Sequence, residues 1–202
     1  METDIAQADL AKIEAGIREK YSKVAQTPEG QFKYPTGQKG LEELQYDKKL
    51  IDRLPDAVIS SYCGVGNPFS LGKISKGKQV LDVGCGAGVD TILAAMITGT
   101  DGSAVGVDIV PEMIARGESN LQMTDIDNVS FHKTSGEDLP FPDDTFDVVI
   151  SNGGINLIPD KRRALTEIFR VLKPGGRLMM ADQIAAGNVE TDIKTRLANW
   201  FQ

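Results

Sequence analysis

The chain has 202 residues, 41% of them hydrophobic, and a formal net charge of -7. That length suits one α/β domain with a short extension. No apolar run is long enough to cross a bilayer, lysine and arginine are scattered, and there are two cysteines, Cys63 and Cys85; these argue against a membrane span, a broad nucleic-acid footprint and a disulfide scaffold.

The N-terminus shows no secretory h-region, which with the two thiols points to a reducing, cytoplasmic setting. Leu10, Ile13, Ile17, Tyr21 and Val24 recur at helical spacing and predict an amphipathic helix. Two readings are open for it: a packing helix, or a lid whose Tyr21 touches a ligand. Residues 26–40 read as a loop that carries Phe32 and Tyr34. Leu41–Tyr46 predicts a helical turn or two, and Pro55 opens a short helix through Ser61. A glycine turn follows, Cys63-Gly64-Val65-Gly66-Asn67-Pro68.

From Gln79 the pattern becomes regular. Strands are predicted at Gln79–Val83, Ala104–Asp108, Val129–Lys133, Phe146–Ser151 and Arg177–Ala181. Helices are predicted at Val89–Thr98, Pro111–Thr124 and Lys161–Leu172, the last capped by Asp160 and ended by Pro174-Gly175-Gly176. Such alternation implies a doubly wound, mostly parallel α/β sheet covered on both faces, with ligands at the carboxyl ends of its strands. Residues 1–75 are then an N-terminal helical extension on the lid and acceptor side, and residues 76–202 the ligand-binding domain. His132 falls inside the third strand and reads as structural; no metal-ligand spacing and no Ser-His-Asp set occurs.

The stretch around which this pattern turns is Val80-Leu81-Asp82-Val83-Gly84-Cys85-Gly86-Ala87-Gly88. It is a strand feeding a helix through a glycine turn, which brings a ligand against bare backbone. Asp108 stands twenty residues beyond Gly88, at the tip of the next strand, where an acid accepts hydrogen bonds from ribose hydroxyls. The glycines do not follow the dinucleotide spacing, and Asp82 beside the turn would repel a pyrophosphate. A cationic adenosine ligand without phosphate fits better, and S-adenosyl-L-methionine is the ligand expected on that ground. The simpler reading is a tight turn whose glycines only allow packing.

Five segments in order resemble the class I S-adenosylmethionine-dependent methyltransferases, in their ubiquinone/menaquinone-methyltransferase-like branch: Val80–Gly88, Gly106–Asp108, Glu137–Phe141, Phe146–Ser151 and Phe169–Gly176. A narrower resemblance is to arsenite methyltransferases. It rests on Ser151–Lys161, on Gly64-Val65-Gly66-Asn67-Pro68 and on Tyr21-Ser22-Lys23-Val24, but Val65 and Gly153 stand where that family has cysteines. The resemblance implies a Rossmann-like methyltransferase fold acting on a small-molecule acceptor. It implies that Asp82, Gly84, Cys85 and Gly86 lie along the methionine part, that Asp108 binds the ribose, and that Ile109 and Met113 lie against the adenine. Ser135, Gly136 and Glu137 would complete the adenine end, Asn152 would face the methionine and the acceptor, and Tyr21 would close over the cofactor. No catalytic residue is implied, because a soft acceptor needs little proton transfer. The alternatives are a cofactor-binding regulatory or scaffold protein without activity and, less favoured, a nicotinamide oxidoreductase. The family also continues past the fifth strand with a helix and two more strands. Here Glu190–Phe201 reads as that helix and the sequence stops at Gln202. The fifth strand is therefore expected to be an edge covered by self-association, as a homodimer.

Overall fold

A computed structural model describes residues 7–184 of the chain; the helix expected at Glu190–Phe201 lies outside them. The N-terminal helix α1 spans Gln7–Val24. Three short helices follow: α2 at Gly37–Glu43, α3 at Lys48–Ile51 and α4 at Asp56–Ile59. Asp47 caps α3 through the Lys49 N–H, and Pro55 takes the N-cap position of α4.

The sheet contains β1 (Gln79–Val83), β2 (Ser103–Asp108), β3 (Val129–Lys133), β4 (Phe146–Asn152) and β5 (Leu172–Ala181). Their order is β3-β2-β1-β4-β5 and every pairing is parallel. Helices α5 (Val89–Thr98), α6 (Pro111–Gln122) and α7 (Lys161–Val171) make the crossovers. The fold is therefore the expected Rossmann-like α/β sheet with a helical N-terminal extension, and it has five strands among the described residues. The order in which strands are added reverses between β1 and β4, which opens a crevice at their carboxyl ends.

Strand alternation sorts the core. Val80, Val148, Ile150 and Met179 face Ala94 and Ala95 of α5 on one side. Leu81, Val83 and Val149 face Ile168 and Val171 of α7 on the other. Burial on both faces explains why β1 and β4 read as continuous apolar runs. The extension is not a separate layer. Leu41, Tyr46, Ile51, Leu54, Val58 and Tyr62 pack against Val89, Ile92 and Leu93 of α5 in one cluster. Ile13, Ile17 and Val24 of α1 close on Ala87, Val110 and Met113, directly beside the glycine turn.

One expectation is corrected. Pro174-Gly175-Gly176 does not end α7. The helix stops at Val171, Leu172 is already extended, and β5 begins there rather than at Arg177. Leu172 pairs with Phe146 and Arg177 with Val148, so a register shift absorbs the extra residues. A Cβ on Gly176 would lie 2.8 Å from the Lys173 carbonyl oxygen, so Gly176 serves a close backbone approach inside the strand, while Gly175 takes φ +78°. Asp160 does cap α7, accepting from the Arg163 N–H at 2.9 Å.

At the amino ends of the strands, Asp147 gathers Lys78, Lys173 and the Gln79 N–H at 2.8–3.0 Å. Burial acts to raise its pKa, but these three donors outweigh it and hold the carboxyl well below its ordinary range.

Candidate active site

The glycine turn is held by its neighbours. The Gly84 and Cys85 N–H groups both donate to the Val107 carbonyl, at 2.9 and 3.0 Å, which ties the turn to the end of β2. Gly84 has φ +75°, and a Cβ there would sit 2.9 Å from the Gly154 Cα. Only glycine permits β1 and the segment after β4 to approach so closely. Asp108 braces the turn from β2: one carboxylate oxygen accepts from the Gly86 N–H and the other from the Val110 N–H, each at 2.9 Å. Burial pushes this carboxyl up and those backbone donors pull it back. Each oxygen keeps a second acceptor direction for a ligand hydroxyl.

A cavity of about 440 Å³ opens over this turn, outside the carboxyl ends of β1, β2 and β4. Of the residues expected at the site, Asp82, Gly84, Cys85 and Gly86 line its floor, and Asp108 and Ile109 line the β2 side. Ser135, Gly136 and Glu137 line it past β3, Asn152 past β4, and Tyr21 from α1. Met113 is not among the lining residues. It is fully buried in the cluster between α1 and the turn, so the adenine contact expected of it is not brought to the cavity wall. The Glu137 carboxylate accepts from the Asp160 N–H at 2.8 Å, so its side chain is already turned toward the start of α7.

Asp82 is 2% exposed. It accepts from the Thr91 hydroxyl at 2.7 Å, and burial followed by the charge of Asp90 pushes its carboxyl well up. Cys85 is buried too, and burial raises its thiol strongly.

The other end of the cavity joins Asn152 and the Cys63–Pro68 turn to Asp90, Tyr46 and Tyr62, which the sequence did not single out as site residues. Asp90, the second residue of α5, is buried and lines the cavity. It accepts from the Tyr46 hydroxyl and from the Asn152 amide, both at 2.9 Å. Burial pushes its carboxyl up to about 6, against the pull of those two donors. Asn152 also donates to the Gly66 carbonyl at 2.8 Å. Its carbonyl oxygen accepts from the Val65 and Gly66 N–H groups at 2.9 and 3.0 Å. Tyr62 donates to Gly66 at 2.9 Å and packs edge-on to Tyr46. One amide thus fastens the Cys63–Pro68 turn to the end of β4. A signal for Asp90 was present: it is the one charged residue in the otherwise apolar helix Val89–Thr98.

Above the turn, Tyr21, Phe32 and Tyr34 form a run of rings, with Phe32 and Tyr34 stacked at 5.0 Å. The Lys20 ammonium lies 4.9 Å from the Phe32 centroid. Cys63 sits in the same wall, and burial, followed by Asp108 and Asp90, pushes its thiol up to about 12. Val65 and Gly153 are neighbours: a Cβ on Gly153 would lie 3.2 Å from a Val65 methyl. His132 is exposed on the edge strand, edge-on to Phe141. Among the described residues no group of three or more His, Cys, Asp or Glu is placed to hold a metal, and no helix is long and apolar enough to cross a membrane.

Comparison with known proteins gives the same family from three directions. An arsenite methyltransferase of Halobacterium salinarum is 33% identical over 96% of this chain and 53% of its own length. A demethylmenaquinone methyltransferase of Listeria welshimeri is 38% identical over 56% of this chain and 48% of its own. The crystal structure of an arsenic(III) S-adenosylmethionine methyltransferase from Chlamydomonas reinhardtii superposes with a TM-score of 0.56 at 31% identity, covering 74% of this chain and 50% of that one. The chain spans about half the length of the curated relatives it matches. A family model described as a methyltransferase domain matches residues 74–201. By that match the chain belongs to the methyltransferase domain family.

Proposed function

We propose that the chain binds S-adenosyl-L-methionine in the cavity over the glycine turn and transfers its methyl group to a small-molecule acceptor. The observation that carries this is the placement of three carboxylates, Asp82, Asp90 and Asp108, around one turn at the carboxyl edge of the sheet. That charge suits a cationic adenosine ligand and disfavours a pyrophosphate. The cofactor, when bound, supplies an electrophilic methyl group. The chain's own residues bind and orient. Asp108 receives the ribose hydroxyls while it holds the turn. The backbone of Gly84–Gly86 follows the methionine part. Val65, Leu157 and Ile158 supply apolar wall to the same cavity. No general base is assigned, and orientation carries the rate.

Arsenite held by thiolates is disfavoured as the acceptor, because Val65 fills the space over Gly153 and burial raises the Cys63 thiol pKa, which disfavours its thiolate. Self-association is proposed along β5, which has a ladder partner on one side only among the described strands; sedimentation reads it. The function is tested with methyl-labelled cofactor and a panel of thiols, metalloids and quinol-like phenols. Label transferred to one of these, lost in Asp108→Ala, supports the reading. A chain that binds the cofactor and labels nothing in a broad extract overturns the enzyme assignment.

A further inference from the structure

The glycine turn is held in two halves. Its first half is tied to β2: Gly84 and Cys85 donate to the Val107 carbonyl, and Gly86 donates to Asp108. Its second half rests on α6. A Cβ on Gly88 would lie 3.4 Å from the Gly117 Cα, so the helix lies directly against the turn. Further along α6 stands Asn120, fully buried. Its amide donates to the Ala87 carbonyl and to the Ser61 hydroxyl, each at 2.8 Å. Ser61 passes the link on to the Val58 carbonyl at 2.6 Å. Among the described residues, Asn120 is the one side chain that donates to the backbone of Ala87–Gly88. Its own carbonyl oxygen has no hydrogen-bond partner among the described residues. A buried acceptor costs free energy whether it stays unpaired or holds a trapped water. A leucine would fill the space without that cost. Packing alone therefore does not account for an asparagine here, whereas its two donors do.

We infer that Asn120 is a positioning residue for the cofactor: it holds the Ala87 carbonyl and so fixes the second half of the turn before the ligand arrives. This rests on the cofactor reading above. Ala87 and Ser61 line the cavity and Asn120 does not, so it acts through them and not by contact. The turn carries Gly84, Gly86 and Gly88, all at positive φ. Glycines released from that conformation gain backbone freedom, which the ligand must remove again on binding. A turn fixed in advance spares that cost and binds more tightly. Arg116 supplies the contrast. It lies on the same helix and donates to the Ala57 carbonyl at 3.1 Å, which ties α6 to the start of α4 without touching the turn.

The test compares Asn120→Leu and Asn120→Ser with Arg116→Met in the full chain. Affinity for S-adenosylhomocysteine is read by calorimetric titration at a temperature where circular dichroism shows each variant folded. Hydrogen exchange over Gly84–Gly88 in the ligand-free chain reads the turn directly. Both Asn120 variants are expected to bind about tenfold more weakly and to exchange faster in the turn. Serine keeps a small polar group and preserves the fold where leucine does not fit. Arg116→Met is expected to lower the urea midpoint, to keep affinity within about twofold and to leave exchange in the turn as it is in the unaltered chain. Asn120 variants that lose stability yet bind within about twofold of the unaltered chain would show a packing role only and overturn the assignment. So would equal weakening by Arg116→Met. An unaltered chain that binds no S-adenosylhomocysteine overturns the cofactor reading, and with it the claim that Asn120 serves the cofactor, even where exchange shows the turn released.

Discussion

The two ends of the cavity are built in different ways. At the β2 end, one acid twenty-odd residues from the turn does both jobs: Asp108 braces Gly86 and faces the cavity. Its partners are backbone N–H groups, Gly86 brought close by the pairing of β1 with β2 and Val110 two residues along the chain. At the β4 end, Asp90, Asn152, Tyr46, Tyr62 and the Val65–Gly66 backbone come from four separated segments and are joined through side chains. The first end is a local device that the fold supplies once β1 and β2 pair. The second exists only when α2–α4 have packed on α5. Damage at the first should therefore appear in binding, and damage at the second in stability as well.

The largest expected effect is Asn152→Ala. It removes the acceptor for two backbone N–H groups and a donor to a buried carboxylate, and should cost about 3 kcal/mol or more of unfolding free energy, read by urea denaturation. A loss under about 1 kcal/mol would mean the turn is held by something else. Asp108→Ala comes next: cofactor affinity should fall by about 1–3 kcal/mol while the urea midpoint moves far less than in Asn152→Ala. Equal losses of stability in the two variants would erase the distinction between the ends.

Asp90→Asn sharpens the comparison through pH. Its folded pKa, about 6, lies above the ordinary carboxylate value near 4. The folded state therefore binds the proton more tightly than the unfolded chain. Ionised Asp90 costs stability above pH 6, and the cost disappears as pH falls toward 4. The variant should be more stable than the natural chain at pH 7, by about 3 kcal/mol, and the gain should vanish near pH 4. Asp108 titrates in both proteins and drops out of the difference, whereas Asp82 is relieved of the Asp90 charge in the variant, which adds to the gain at pH 7. A gain that does not change with pH would place the cause elsewhere. The smallest effect is Lys78→Ala, at the far end of the sheet. Its ammonium is half exposed beside Asp147, so the loss should stay under about 1 kcal/mol, with cofactor affinity unchanged.

The sequence carried the first end of the cavity and not the second, for a physical reason. Strand, glycine turn, helix and acid are local signals with fixed spacing, so Gly84, Gly86 and Asp108 were legible. The continuous apolar runs of β1 and β4 were legible because both faces are covered. Tyr46 and Tyr62 carried no signal, since an aromatic residue in a short helical segment reads as packing until its hydroxyl is seen to meet Asp90 or Gly66. Asn152 was expected to face the ligand. It lines the cavity, but its amide is spent on holding the Val65 turn. The family resemblance implies an adenine contact for Met113, yet Met113 is buried in the cluster with α1. Pro174-Gly175-Gly176 reads as a helix stop, although Gly176 allows a tight backbone approach within β5.

The central claim is that the cavity takes a cationic adenosine cofactor. Parallel calorimetric titrations of the unaltered chain with S-adenosylmethionine and with a nicotinamide dinucleotide test it most directly. The account predicts one-site saturable binding of the first and none of the second at the same concentrations. Binding of the dinucleotide with comparable affinity, or no heat from either ligand, would contradict it.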